Sequence, residues 1–432
     1  MARHKQTENE FLNKLDRLPP EEELFLKVEK ALSPIAEFYG FQKIYTPLVD
    51  DQRFYLPLIK NGFFRNAAPI FCRSKSGAAI FLRPSVALSL VRAYITHKMN
   101  EWPQPVKMFF TGDSIFSAGR RSPSLTARSE LGLVMVGEES VVAETEIVQV
   151  IWRAAEKLGL KNEEVEVRIN ATGCAECRSA FRTSFTSHFR SRSSRLCKNC
   201  KKDLKKIPVK LLLCEDEKCR IVQNVAPQVL DFLCETCKKH LKGLLEFLDE
   251  LKIPYFLDPR FFKEESLYNL LIFEFAWKRK LEPGTKAEYI IFSEGGRLSR
   301  AATFMAGKKL DVAAGSLFLG RVASVFSRKA GHPGQEEFKI FLVHLGELAK
   351  RKGLALLEGL RAAGVEARES LGRDSIKSQL KVAEKSGAVI ALILGQKEAL
   401  DNTIIVREIQ SGIQETIPQE KLVEFLKKRL KK

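Results

Sequence analysis

The sequence predicts an α+β fold, an antiparallel sheet with flanking helices, interrupted by a cysteine-rich insertion and followed by a small α/β domain. Three observations lead there. Short β-rich runs in the first half are separated by long connections, with no glycine-rich turn opening a helix. Eight of the nine cysteines lie between Cys174 and Cys237. Beyond the turn-rich segment Lys329-Ala330-Gly331-His332-Pro333-Gly334 the pattern becomes strand, helix, strand, helix.

The elements follow in order. Leu18-Pro19-Pro20 with three glutamates behind it starts a helix, and Leu24, Val28, Leu32, Ile35 and Ala36 recur at helical spacing up to the turn at Gly40. Strands are expected at 78–82, 106–112 and 133–137, with a helix over 85–99. Leu230, Leu233, Cys237, Leu241, Leu244, Leu248 and Leu251 mark one face of a helix that closes the insertion. A strand at 288–293 and a glycine-rich run ending near Arg321 return the chain to the sheet. The final domain is expected to alternate strands at 339–345, 365–367 and 389–395 with helices at 349–363, 376–386 and from 420, around a mostly parallel sheet.

At 432 residues the chain has room for two to three domains. Lys and Arg number 71 against 53 Asp and Glu, a net charge of +18 over a chain that is 45% hydrophobic, which excludes a disordered tail protein and favours a folded, basic protein with a polyanionic partner, nucleic acid before anionic membrane. No apolar run approaches the roughly 18 residues of a membrane span. Met1-Ala2-Arg3-His4-Lys5-Gln6 has no apolar core of the secretory kind, so a cytoplasmic protein with no membrane partner is expected. No phosphate-binding loop of the G-x-x-x-x-G-K-[ST] type occurs.

In a reducing compartment, paired cysteines point to metal before disulfides. The pairs are Cys174 with Cys177, Cys197 with Cys200, Cys214 with Cys219, and Cys234 with Cys237. The first two form C-x2-C-x19-C-x2-C, a zinc-ribbon spacing, which leaves Cys214, Cys219, Cys234 and Cys237 for a second site with His240 as a substitute ligand. The alternative is a set of buried reduced thiols with no metal. Residues 174–220 also carry 13 Lys and Arg against 5 Asp and Glu, a surface suited to several phosphates at once or simply to solvent.

Leu82-Arg83-Pro84, the run from Val91 to Lys98 and Pro103-Gln104-Pro105-Val106-Lys107 resemble histidyl-tRNA synthetase, a class II synthetase, and the resemblance extends over nearly the whole chain. Phe41 to Pro47 is similar to the first class II motif, which implies a homodimer. Arg178, Leu196 to Cys200, Leu213-Cys214 and Phe232 to Cys237 are similar to the insertion of bacterial members. Leu257-Asp258-Pro259-Arg260 and Gly295-Gly296-Arg297 resemble the approach to the histidine pocket. Gly372 to Lys381 and Gly412 to Pro418 resemble the anticodon-binding domain. The resemblance implies a class II core at 1–328 with the insertion at about 170–245, a linker at 329–337 and an anticodon-binding α/β domain at 338–432.

The departures fall in one place. After Arg83, the family's glutamate and threonine are Ser85 and Ala87, and a hydroxyl and a methyl cannot supply the charge that a buried ammonium needs. The motif-two arginine falls on Phe116, and the Gln and Glu of the histidine site fall on Glu130 and Val134. The Arg-Gly-Leu-Asp-Tyr-Tyr segment becomes Lys263 to Tyr268. The closing arginine falls on Val322, or on Arg321 with a one-residue shift. Losing one donor that stabilises a phosphoryl transition state costs about 3 to 4 kcal/mol. So many losses imply a degenerate pocket, a pseudoenzyme in which ATP and Mg²⁺ binding is doubtful.

The resemblance assigns RNA contacts to Arg120, Arg121 and Arg128 in the motif-two loop, to Arg190, Arg192, Arg195, Lys201 and Lys202 in the insertion, and to Arg373, Lys377, Gln379 and Lys381 in the last domain. The first expectation is therefore a tRNA-binding or regulatory paralogue. The alternative is an active histidine–tRNA ligase, and a third is the regulatory subunit of ATP phosphoribosyltransferase, whose members lack the anticodon-binding domain.

Overall fold

The computed structural model describes residues 16–64, 67–73, 79–118, 124–206, 208–262, 267–279, 288–330, 339–369 and 375–430. The chain divides into two compact units, Met1–Gly331 and His332–Lys432.

The first unit is built on a nine-stranded sheet, in which β1 (Gln42–Lys43), β2 (Val106–Ala118), β3 (Ser124–Val136), β4 (Val165–Gly173), β5 (Phe256–Leu257), β6 (Asn269–Arg279), β7 (Glu288–Arg297) and β8 (Val312–Phe318) lie in the spatial order β1-β2-β3-β8-β7-β6-β4-β5. The ninth strand, Ala67–Pro69, pairs antiparallel with β2, and Val49–Asp51, Ala79–Leu82 and Phe71–Arg73 form a separate three-stranded sheet. The pairings of the larger sheet are antiparallel except for β1 with β2 and β4 with β5 at the two edges. Its helices are α1 (Pro19–Phe38), α2 (Gln52–Lys60), α3 (Val86–Thr96), α4 (Val142–Lys157), α5 (Ala175–Ser191), α6 (Lys198–Lys206), α7 (Glu217–Asn224), α8 (Glu235–Glu250), α9 (Ser299–Ala306) and α10 (Leu319–Ala330).

Helix α1 begins on prolines whose missing N–H groups would be unpaired there anyway, with Glu21 and Glu22 in the first turn against the helix dipole. Strand alternation sends side chains to opposite faces. Phe109, Leu131, Leu133 and Met135 pack with Val28 of α1, Ile147 of α4, Leu244 of α8 and Val325 of α10. Met108, Phe110, Val134 and Val136 pack on the other face with Val91 of α3, Leu58 of α2 and Ala302 of α9. Both faces are covered, so the hairpin strands read as nearly continuous apolar runs.

The insertion carries its own small core. Phe181, Phe185 and Phe189 recur every fourth residue along α5, with ring centroids 5.2 and 4.7 Å apart, and close on Leu204 of α6 and Val222 of α7. Helix α8 starts later than its leucine pattern suggests: Leu230 and Leu233 precede it, and Cys234 is its N-cap.

The second unit has the strands β9 (Ile340–His344), β10 (Arg368–Glu369), β11 (Ile390–Leu394), β12 (Thr403–Glu408) and β13 (Gln414–Pro418) in the order β10-β9-β11-β12-β13, with helices α11 (Glu347–Ala362), α12 (Ile376–Lys385), α13 (Gln396–Asp401) and α14 (Leu422–Leu430). The sheet is mixed, not mostly parallel: β9 pairs parallel with β10 and β11, while β11-β12 and β12-β13 are antiparallel. Strand β13 escapes the hydrophobic pattern because it is a polar edge, with Gln414, Glu415 and Thr416 exposed. The strand expected at 365–367 forms at Arg368–Glu369 instead.

Candidate functional site

The pocket implied by the family resemblance lies where α3 meets the β2-β3 hairpin. Arg83 is buried and donates from Nε to the Asp113 carbonyl at 2.8 Å and from Nη1 to the Thr46 carbonyl at 2.9 Å. Gly112 makes room for it, since a Cβ there would stand 2.6 Å from Arg83 Nη2. Burial lowers the Arg83 pKa, against the opposing pull of the Glu130 carboxylate. Ser85 is the buried N-cap of α3, and Ala87 and Val134 are fully packed, so these three positions are wall.

Glu130, with no exposed surface, accepts from the Val86 N–H at 2.8 Å and from the Ser114 hydroxyl. Its other oxygen lies 3.1 Å from Arg128 Nη2, two residues away on the same face of β3. The Arg128 guanidinium sits 4.2 Å from the Phe318 ring centroid and 5.5 Å from that of Phe116, and Glu294 of β7 lies 3.9 Å from Nη1. Sheet register produces this meeting, because Glu130 is paired with both Gly112 and Phe318. Tyr268 is buried beside the cluster, and burial, then Glu294 and Glu130, raise its pKa. Lys263 lies outside the described residues. The chain's own arginine and two carboxylates thus occupy this part of the pocket, between the aromatic rings, where a flat cationic group is favoured.

The two residues of the closing motif differ in their surroundings. Val322 is buried in the core under the sheet, whereas Arg321 lies 5.4 Å from the Phe318 ring and donates to the Ile291 carbonyl at 2.8 Å. Arg297 is buried and pairs with Glu144 of α4 through Nε at 2.8 Å and through Nη2, and donates to the Glu138 and Ser140 carbonyls at 2.7 Å each. His240 also meets Glu144, at 2.9 Å, and lies outside both groups of candidate metal ligands, each of which is made of four cysteines.

The eight cysteines form two four-thiol groups, but with pairings other than those suggested by spacing. Cys174 and Cys177 meet Cys234 and Cys237, and Cys197 and Cys200 meet Cys214 and Cys219, with all four sulfurs of each group within 4.8 Å of one another. The C-x2-C-x19-C-x2-C pairing is overturned because the starts of α5 and α8, N-capped by Cys174 and Cys234, meet at the neck of the insertion, where Cys177 and Cys237 join the main core. Sulfur separations of 3.9 Å for Cys177–Cys237 and for Cys197–Cys214 match the edge of about 3.8 Å of a tetrahedron with 2.3 Å metal–sulfur bonds. Backbone N–H groups point at the sulfurs, Cys234 to Cys177 at 3.1 Å and Cys197 to Cys219 at 3.2 Å. Burial pushes Cys174 and Cys219 up to about 11 and raises Cys200 and Cys237 further, while the backbone N–H of Cys237 holds Cys234 down to about 7. Such a donor set fits a thiophilic cation that replaces the protons.

The basic residues of the insertion face outward. Arg190, Lys201 and Lys202 are exposed and line a groove of about 640 Å³ with Ser193, Ser194 and Lys205. Arg195 is exposed beside it, and half-buried Arg192 donates to the His188 carbonyl at 3.2 Å. Arg120, Arg121 and Arg373 lie outside the described residues. On α12, Lys377 and Lys381 are exposed, but Gln379 is buried, accepting from the His344 N–H at 3.0 Å and donating to the His344 carbonyl at 2.8 Å. Its side chain braces α12 against β9 and does not face solvent. Two residues along a helix turn the side chain about 200°, the signal that separates it from both lysines.

Residues 14–180 match the family model described as histidyl-tRNA synthetase, and residues 339–429 match the anticodon binding domain. The chain is 30% identical over 420 residues to the histidine–tRNA ligase of Halothermothrix orenii, covering 96% of this chain and 97% of the relative. It is 28% identical over 422 residues to that of Desulfitobacterium hafniense, covering 96% and 97%. Among solved structures it is similar to apo S. aureus histidyl-tRNA synthetase, with a TM-score of 0.69, 25% identity and coverage of 95% and 97%. The histidyl-tRNA synthetase of Nostoc sp. PCC 7120, at a TM-score of 0.59, 19% identity and coverage of 96% and 98%, shares the fold.

Proposed function

Because the chain belongs to the histidyl-tRNA synthetase family, we propose that it is a tRNA-binding or regulatory paralogue that has lost histidine activation. The carrying observation is Arg128, which lies between Phe116 and Phe318 and pairs with Glu130 where the family keeps substrate-binding groups. Activation needs positive charge aimed at a phosphate and negative charge aimed at an ammonium. Here both charges are directed at each other. The match at residues 339–429 supports the tRNA part of the reading.

The alternative, an active ligase with an unusual pocket, is the reading that the comparisons support better than the paralogue, through near full-length similarity to proteins named histidine–tRNA ligase, and Arg321 beside Phe318 agrees with it. ATP and Mg²⁺ belong to that reading alone. Histidine-dependent ATP–pyrophosphate exchange separates the two: exchange at a synthetase rate overturns the paralogue, and tight tRNA binding without exchange supports it.

The core is assigned to 1–328, the linker to 329–337 and the anticodon-binding domain to 338–432. A structural zinc ion in each four-thiol group belongs to the same reading, supported by the donor chemistry and the tetrahedral spacing. So does a homodimer: Phe38 and Tyr45, flanking and within the first motif, are 83% and 79% exposed. Among the described residues no helix is long and apolar enough to cross a membrane. A cytoplasmic location is the matching proposal.

A further inference from the structure

The two four-thiol groups differ in their access to solvent. In the distal group, Cys200 and Cys219 are buried and Cys197 and Cys214 are half-buried, so none of its thiols stands open. Cys200 and Cys219 belong to the small core of the insertion, and Cys197 and Cys214 pack against it. In the neck group, Cys177 and Cys237 are buried in the main core and Cys174 is half-buried against it, but Cys234 is exposed. The Cys174 thiol is engaged by the Glu176 carboxylate at 2.8 Å. Cys234 is therefore the open sulfur of the neck.

Local sequence gives this sulfur a partner. In Cys234-Glu235-Thr236-Cys237 the first cysteine is the N-cap of α8 and the second lies in its first turn. Their sulfurs lie within 4.8 Å of each other, near enough for side-chain rotation to bring them to the roughly 2.05 Å of a disulfide. An exposed thiol with a buried one three residues on is the arrangement in which an oxidant meets the first sulfur and the second resolves the product. Cys197 and Cys200 share the spacing but not the exposure.

We propose that Cys234 is an oxidation site: hydrogen peroxide converts Cys234 and Cys237 to a disulfide, and the metal ion of the neck group leaves while the distal group keeps its own. The inference rests on the reading of a zinc ion in each four-thiol group. The Cys234 thiolate attacks one peroxide oxygen, the O–O bond breaks and hydroxide leaves, which gives a sulfenic acid. The Cys237 thiolate then attacks the Cys234 sulfur, the S–O bond breaks and a second hydroxide leaves. The two sulfurs give up two electrons and the peroxide takes them. Protons from solvent turn both hydroxides into water and restore the thiols of Cys174 and Cys177, which are too few to hold the ion alone. A metal link between the starts of α5 and α8 is thus replaced by a bond within α8.

The test uses the purified full-length chain, its zinc counted by elemental analysis. It is then treated with hydrogen peroxide while released zinc is read with a chromogenic chelator and disulfides are mapped in a non-reducing digest by mass spectrometry. Of about two zinc ions per chain, about one is expected to leave, together with formation of a Cys234–Cys237 disulfide, while Cys197, Cys200, Cys214 and Cys219 stay reduced. Dithiothreitol with added zinc should reverse both changes. Zinc fully retained after peroxide, both ions lost together, or a Cys174–Cys177 disulfide in place of the expected one overturns the inference and leaves the zinc reading standing. A chain isolated with no zinc overturns the zinc reading and the inference with it. Cys72, which is exposed, is the one cysteine outside both groups. Cys72→Ser should leave the zinc loss and the disulfide unchanged, and a variant that no longer responds would move the oxidised site to Cys72.

Discussion

The Arg128 cluster and the face of the insertion are built from the same kind of residue used in opposite ways. At the first, two arginines are surrounded by protein, Arg83 by backbone carbonyls and Arg128 by Glu130, Glu294 and two aromatic rings. At the second, Arg190, Lys201 and Lys202 stand in solvent around a groove. A cation withdrawn from water must find its counter-charges inside the chain, and those counter-charges then repel an anionic substrate. A cation left in water keeps its capacity for phosphate at almost no folding cost. Charge count alone cannot distinguish the two; burial can.

The most severe way to break the contrast is to remove what holds the insertion in place. Zinc coordination in small metal-dependent domains is worth about 10 to 16 kcal/mol. Chelation, or Cys177→Ser, is therefore expected to abolish hydrogen-exchange protection across α5, α6 and α7 while the second unit stays protected. Elemental analysis giving less than about one zinc per chain would contradict two four-thiolate sites.

Next in size is the buried carboxylate. Glu130→Ala leaves Arg128 without its nearest partner, and the loss is expected at about 2 to 3 kcal/mol in urea denaturation, below the 3 to 5 of full burial because 28% of the Arg128 side chain reaches solvent. A loss under 0.5 kcal/mol, on the scale of an ordinary surface change, would mean that the pair does not close the pocket.

Gln379→Ala removes two hydrogen bonds to His344, so about 1 to 3 kcal/mol of stability should go while tRNA affinity moves less than twofold. If affinity collapses and stability does not, Gln379 faces RNA after all. The smallest effect on folding belongs to the Lys201→Ala, Lys202→Ala double variant, within about 0.5 kcal/mol of wild type. There the expected change is in RNA binding, with a log affinity against log salt slope shallower by about two.

The sequence carried much of the architecture, because the short β-rich runs of the hairpin and the helical spacing along α1 are local patterns. Chemistry was readable where it too is local. Each cysteine pair announces two ligands, but which pairs meet depends on the start of α5 meeting the start of α8, and nothing within either pair encodes that. The vacated positions Ser85, Ala87 and Phe116 were legible from the family resemblance alone. That Arg128 fills the gap depends on the β2-β3 and β3-β8 registers, which bring Gly112, Glu130 and Phe318 into one row. The two-residue step from Arg128 to Glu130 was the clue, as two positions along a strand share a face.

The four thiols at the neck have one more consequence. They bring the chain's departure from the sheet at Cys174 and Cys177 and its return at Cys234 and Cys237 to a single point. The excursion between them therefore begins and ends at one place, like a loop of string tied at its knot. Such a segment can be cut out and the gap closed by a short flexible peptide without moving either flanking strand, since joining neighbouring ends costs little chain entropy. The insertion is in this sense a cassette, able to be gained, exchanged or lost in evolution while the sheet beneath it stays as it is.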